Sequence, residues 1–231
     1  MRAFTDARNA ATLDEIWLTE HPPVYTVGLA ARVEHFPRSE SLNASNASNA
    51  SIASMASMAS MASNASASTA SIPLIKTDRG GQITYHGPGQ VVAYTLFDLR
   101  RPKLGVREYV RRLESAIIDV LAADGIVAYG KVDAPGVYVR SIMHRSDASI
   151  GVEAKIAALG LKVRNGCTYH GVAVNVDMDL GPFATIDPCG CAGLAVTQMR
   201  ELGSTRDVVA VGDALAASLC KWLTARTNVN G

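Results

Sequence analysis

The chain is predicted to fold as an α+β domain, a mixed sheet with helices packed on it. Strand-like segments come first, then a helix, more strands and a final helix, which is not the strict alternation of a doubly wound parallel sheet. Two segments carry apolar residues at spacings of three and four, and the others alternate or run apolar over short stretches. Hydrophobic residues make up 48% of the 231 and charged residues 19%, enough for a packed core.

Residues 1–12 read as the end of a helix, and 13–28 (LDEIWLTEHPPVYTVG) as two short strands around the Pro22-Pro23 turn. Residues 39–72 form an Ala-Ser tract of period three that cannot bury a core, so a disordered surface loop is expected. Its Asn-Ala-Ser triplets at Asn43, Asn46, Asn49 and Asn64 fit a glycosylation acceptor pattern, which carries no meaning in a cytosolic protein. Without the tract, roughly 200 residues remain, so 1–231 is read as a single domain. A short strand is expected at 72–76, a glycine-rich loop at 77–90 and a strong strand at 91–99. Val106, Val110, Leu113, Ile117, Val120 and Leu121 mark a helix over 105–123 that Asp124-Gly125 ends. Strands follow at 137–139, 155–161 and 171–178, with 141–154 expected as a hairpin loop. A last helix over 205–225 is built on Val208, Val211, Leu215, Leu219 and Trp222.

The net charge of +1 gives no argument for nucleic acid or a membrane surface. Cysteines 167, 189, 191 and 220 form no C-x-x-C pair, so reduced thiols and a cytoplasmic location are expected. No basic-then-apolar leader and no long apolar run are seen. Cys167 and His170 could make half of a metal site, but no second half has ligand spacing, so no metal is expected.

The chemistry centres on 155–193. Cys189 sits in a Pro-Cys-Gly turn; Pro188 restricts the backbone before it and Gly190 frees it after. Such a turn exposes a side chain and can aim N–H groups at an oxyanion. Lys155 heads an apolar run, where an ammonium is costly, and so could take a thiol proton. Local pattern alone leaves open an inert thiol and a lysine that snorkels to water. In the loop RGGQITYHGPGQ, Arg79 could hold an anion, Gly80, Gly81, Gly87 and Gly89 would admit a long thin substrate, and Tyr85 and His86 would wall it. The loop matches neither the dinucleotide fingerprint nor a P-loop, and a tight hairpin with a structural histidine is equally compatible.

At these residues the chain resembles the lipoyl(octanoyl) transferase family. The matching segments are TLDEIWLTEHPPVYTVG, RGGQITYHGPGQ, KLGVRE, DAPGVYV, LGLKVRNGCTYHG, VAVNVDMDLGPF and IDPCGCAG, which cover nearly all of the chain outside the tract. The resemblance implies the fold of the biotin and lipoate protein ligases. It also implies transfer of an octanoyl group from octanoyl-acyl carrier protein, through a cysteine thioester, to a lysine. That lysine belongs to the lipoyl domain of a 2-oxoacid dehydrogenase subunit or to the glycine cleavage H protein. By the family motif Cys189 carries the thioester and Lys155 lowers its pKa and moves the proton. Substrate contacts fall on Arg79, Gly80, Gly81, Gln82, Ile83, Thr84, Tyr85 and His86, on Ala158, Leu159 and Gly160, and on Gly171, Val172 and Ala173. No cofactor is implied, because the substrate brings its own phosphopantetheine, and a monomer is expected.

The chain departs from the family pattern in places. That pattern usually starts further upstream, the Ala-Ser tract replaces a shorter connection, 141–153 is longer than usual, and Ala158 stands where serine is common. Arg100, Arg101, Lys103, Arg107, Arg111 and Arg112 form a basic cluster that could steer an acidic carrier. The rival readings are an ATP-dependent lipoate or biotin-type ligase on the same scaffold, a thiol hydrolase using Cys189 and His170, and a non-catalytic module that binds acylated proteins.

Overall fold

The computed structural model describes residues 1–32, 34, 37, 72–145, 148–187 and 193–225. The tract expected as a loop lies outside these residues apart from Ile72, as do Pro188, Cys189, Gly190 and Cys191. Helix α1 (Arg2–Ala7) leads into β1 (Glu15–Thr19), β2 (Val24–Val27), β3 (Leu74–Lys76), β4 (Ile83–His86) and β5 (Gln90–Leu96). Then come α2 (Val106–Ala123), β6 (Ala128–Gly130), β7 (Gly136–Arg145), β8 (Ala148–Arg164), β9 (Cys167–Asn175), β10 (Ala195–Val196) and α3 (Val208–Thr224).

The main sheet runs β1-β5-β9-β8-β7-β6, with antiparallel neighbours throughout. Beyond the end of β9, β10 takes the free edge of β8 in parallel, Ala195 beside Ala154 and Val196 beside Lys155. A smaller sheet, β3-β2-β4, pairs β2 parallel with β3 and antiparallel with β4. The chain is thus α+β, as its element order predicts.

Both long helices cover one face of the main sheet. Leu113, Ile117, Val120 and Leu121 of α2 and Val211, Leu215 and Leu219 of α3 share a core with Val91 and Ala93 of β5 and Val172 and Val174 of β9. Helix α2 ends where expected: Gly125 takes φ 73, and Ile126 N–H returns to Leu121 O at 3.0 Å. Asp207 caps α3 by accepting the Ala210 N–H at 2.8 Å. Tyr25, Ile83, Tyr85, Met178, Phe183 and Ile186 make a second, smaller core at the small sheet.

The stretch 141–154 corrects an expectation. It is not a loop; the β7–β8 ladder continues from Ser141↔Val152 to Arg145↔Ala148. Backbone pairing extends the hairpin here, and such pairing leaves no hydrophobic period for a sequence to display.

The basic cluster is partly committed to internal contacts. Arg100 pairs with Asp98 at 2.8 Å, and Arg101 pairs with Asp14 at 3.3 Å. Arg112 is buried and donates to Trp222 O at 3.1 Å and Ala225 O at 2.7 Å, closing the C-terminal end of α3. Arg112→Ala is therefore expected to lower stability by about 1–3 kcal/mol by stranding those carbonyls. Urea denaturation would show this as a lower midpoint, with the Michaelis constant for substrate unchanged.

Candidate active site

A cavity of about 290 Å³ lies between the helix-free face of the main sheet and the small sheet. Strand parity builds its floor. On β9, Val172 and Val174 face the helices, which turns Gly171, Ala173 and Asn175 toward the cavity. Ala158 and Gly160 of β8 lie directly across from Ala173 and Gly171. The floor is therefore a block of small residues, flanked by Val92 and Tyr94 of β5. Gly171 could carry no larger side chain, because a Cβ would fall 1.9 Å from Ala93 O.

Lys155 reaches this cavity because β8 changes parity. Val137 pairs with Ala157 and Tyr138 with Lys155, so Ile156 is an extra residue without a partner on β7. Ile156 and Ala157 both face the helical core, and Lys155 is thrown to the other side. Lys155 is 4% exposed. Nζ donates to Pro135 O at 3.0 Å and lies 5.3 Å from the centre of the Tyr138 ring. Gly136 makes room for it, since a Cβ there would stand 2.6 Å from both Cε and Nζ.

Of the residues assigned to substrate, Arg79, Gly81, Gln82, Ile83, Thr84, His86, Ala158, Leu159, Gly160, Gly171, Val172 and Ala173 line the cavity, as does Lys155. Gly80 and Tyr85 do not. Gly80 stitches the loop to β8 through its N–H to Leu161 O at 2.8 Å. Tyr85 lies on the opposite face of β4 from Thr84 and His86, in the small core, with its ring edge on Phe183. Cys189 lies outside the described residues. On one side of it Ile186 and Asp187 are buried; on the other, Val196 is hydrogen-bonded beside Lys155.

Beneath the cavity runs a hydrogen-bond chain of one polarity. Arg79 Nε and Nη2 donate to Thr26 Oγ1 at 3.1 and 2.9 Å. Thr26 Oγ1 meets His86 Nε2 at 3.2 Å, and His86 Nδ1 meets Gln90 Oε1 at 2.7 Å. Gln90 Nε2 donates to Asn175 Oδ1 at 2.9 Å, and Asn175 Nδ2 to Thr197 O at 2.9 Å. The Gln90 acceptor assigns the His86 proton to Nδ1, leaving Nε2 to accept from Thr26. Thr26, Gln90 and Asn175 were not singled out from sequence. Two polar residues embedded in apolar strands, Gln90 and Asn175, were the available signal.

The end of the cavity away from Lys155 is polar. His170 takes φ 63, so Tyr169 and His170, adjacent in sequence, both reach Asp78, at 2.5 and 2.8 Å. Burial raises the Asp78 pKa, but the donors Tyr169, His170 and Arg2 outweigh it and hold the carboxyl well below its usual range. Cys167 turns elsewhere and meets Arg100 at 3.6 Å, so it shares no partner with His170. Among the described residues no cluster of metal-ligating side chains forms. Nor is any described helix long and apolar enough to cross a membrane.

Burial brings the His86 pKa down from 6.5 to about 4, and the bond to Gln90 opposes this only in part. Between those values the unfolded chain takes up a proton that the folded site refuses, so stability falls as pH falls. Across that window His86 should account for roughly 3 kcal/mol at most. Denaturation at pH 7 and pH 4.5 should show a smaller loss for His86→Gln than for the wild type; equal losses would refute this.

The chain matches the lipoyl protein ligase A/B catalytic domain over residues 1–220. It is 48% identical over 224 residues to the octanoyltransferase of Chromobacterium violaceum, covering 97% of this chain and 88% of that one. It is 49% identical over 231 residues to the octanoyltransferase of Paraburkholderia phytofirmans, covering 100% and 80%. Its fold is similar to that of lipoate-protein ligase A bound with ATP, with TM-score 0.61 at 16% identity over 96% of this chain and 77% of that one. The bipartite lipoate protein ligase of Thermoplasma acidophilum gives TM-score 0.64 at 14% identity over 96% and 76%. At such identities the structural likeness speaks for the fold, and the closer sequence relatives decide the family: the chain belongs to the octanoyltransferases built on the lipoyl protein ligase A/B catalytic domain.

Proposed function

We propose that this octanoyltransferase takes the octanoyl group from octanoyl-acyl carrier protein onto Cys189 and passes it to the target lysine of a lipoyl domain. Those domains belong to the 2-oxoacid dehydrogenases and to the glycine cleavage H protein. The observation that carries the reading is the buried amine of Lys155 opening onto a cavity floored by Ala158, Gly160, Gly171 and Ala173. An apolar slot of this kind suits an acyl tail. Burying its six methylenes would contribute about 5 kcal/mol.

The chemistry balances with the chain's own groups. The Cys189 thiolate attacks the thioester carbonyl, the bond from the octanoyl carbonyl carbon to the pantetheine sulfur breaks, and the leaving thiolate takes a proton from the Lys155 ammonium. Thioester exchange is nearly even in free energy, so this step needs orientation and a good nucleophile above all. In the second step the incoming lysine amine attacks the Cys189 thioester. The C–S bond breaks, the amide forms, and the amine proton passes to Lys155, restoring the thiolate and ammonium. No metal or nucleotide enters either step. Reduced thiols suit work in the cytoplasm.

Intact-mass spectrometry after mixing with octanoyl-acyl carrier protein, without ATP, should show a hydroxylamine-labile octanoyl adduct that maps to Cys189. Cys189→Ser should abolish transfer, and Lys155→Ala should slow it by about 10²–10⁴-fold. Transfer that survives Cys189→Ser, or that needs ATP, would refute the relay.

A further inference from the structure

We infer that Glu114 is a positioning residue for Lys155, holding the loop that cradles its amine and balancing the charge that forms there. The inference rests on the reading of Lys155 as the proton carrier of the transfer reaction.

Glu114 lies in the middle of α2, on the stripe it shares with Leu113 and Ile117, and is 6% exposed. Helix packing asks for an apolar residue at such a position, and a buried carboxylate is there at a penalty. Both of its oxygens are directed at the segment between β6 and β7. Oε1 accepts the Gly136 N–H at 2.9 Å. Oε2 lies against Gly130, where a Cβ would stand 2.8 Å away. One carboxylate thus bonds the Gly136 end of residues 130–136 and lies close to the Gly130 end.

That segment is what holds Lys155. Pro135 O accepts from Nζ at 3.0 Å, and Gly136, at φ 148, leaves the space that Cε and Nζ occupy, since a Cβ there would stand 2.6 Å from both. Only glycine combines that backbone angle with that clearance. Moving Glu114 would therefore move both the acceptor and the wall that aim the amine.

The carboxylate is also close enough to act by its charge. Burial raises its pKa, and Gly136, Lys155 and Arg111 draw it back toward the ionised form. Among the described residues, the charged and titratable groups near this corner include Tyr138, whose ring lies under the Lys155 and Lys131 amines, Glu153, bonded to Lys131 and Tyr129, and Arg140 beside Glu153. When Lys155 takes the proton from the attacking amine, a cation appears in a buried site. An anion across the Gly136 peptide lowers the free energy of that state.

Glu114→Gln tests this, because the amide keeps the size and the acceptor for Gly136 and loses the charge. The variant should fold, bind octanoyl-acyl carrier protein with unchanged KM, and lose about ten-fold in kcat near neutral pH. The alkaline limb of its pH–rate profile should move to lower pH by about one unit. In a Lys155→Ala background the same change should add nothing. Glu114→Asp, which keeps the charge but withdraws from Gly136, should lower kcat with the limb in its wild-type place. If Glu114→Gln and Glu114→Asp both keep the wild-type kcat and pH profile while Lys155→Ala is slow, the role of Glu114 is refuted and Lys155 stands. If Lys155→Ala is as fast as the wild type, the underlying reading fails and takes this one with it.

Discussion

The arrangement depends on one extra residue in a strand. Side chains alternate along β8, and its apolar set must meet the helices. Ala154 and Ile156 satisfy that rule on one side of the bulge, and Ala157, Leu159 and Leu161 satisfy it on the other. The two sets are out of phase, and the unpaired Ile156 reconciles them. Without it, a continuous ladder would send either Lys155 or the small floor residues into the helical core. With it, the core stays apolar, and the amine and the slot share one cavity.

The second requirement is rigidity where two sheets meet over a void. The polar chain from Arg79 to Thr197 ties the small sheet to the main sheet across the cavity. It crosses from the glycine-rich loop through β2, β4, β5 and β9 to the residue after β10. All the donors point the same way, so each bond polarises the next. Its last acceptor belongs to Thr197, whose own N–H donates to Lys155 O at 3.0 Å. The loop assigned to substrate and the strand that bears the amine are therefore one mechanical unit.

Positive φ angles recur where the site needs a side chain or a backbone out of phase. His170 at φ 63 places two successive side chains on Asp78. Gly136 at φ 148 lets the backbone close over Lys155. Gly89, at φ 87, lies against the Asp177 peptide, which accounts for the glycine that ends the loop before β5. These are local departures from regular strands.

Much of this was legible in the residues. The periods of α2 and α3, the Asp124-Gly125 stop, the short strands around Pro22-Pro23 and the motif segments of the family are local patterns, and local patterns are what a sequence displays. Other features depended on the tertiary fold. Tyr85 and His86 read alike as walls, yet strand parity sends Tyr85 to the small core. Arg112 reads as a surface charge, yet the end of α3 lies across it and takes its hydrogens. Glu114 reads as one more polar helix residue until Gly130 and Gly136 are seen at its two oxygens. By itself the sequence determined the two long helices and most of the strands, though not β4, β6 or the outer half of the β7–β8 hairpin, and it determined the family and which side chains carry usable chemistry. Only the tertiary structure decided which face each side chain takes, because that depends on pairing registers between strands distant in the chain and on a bulge that no local pattern announces.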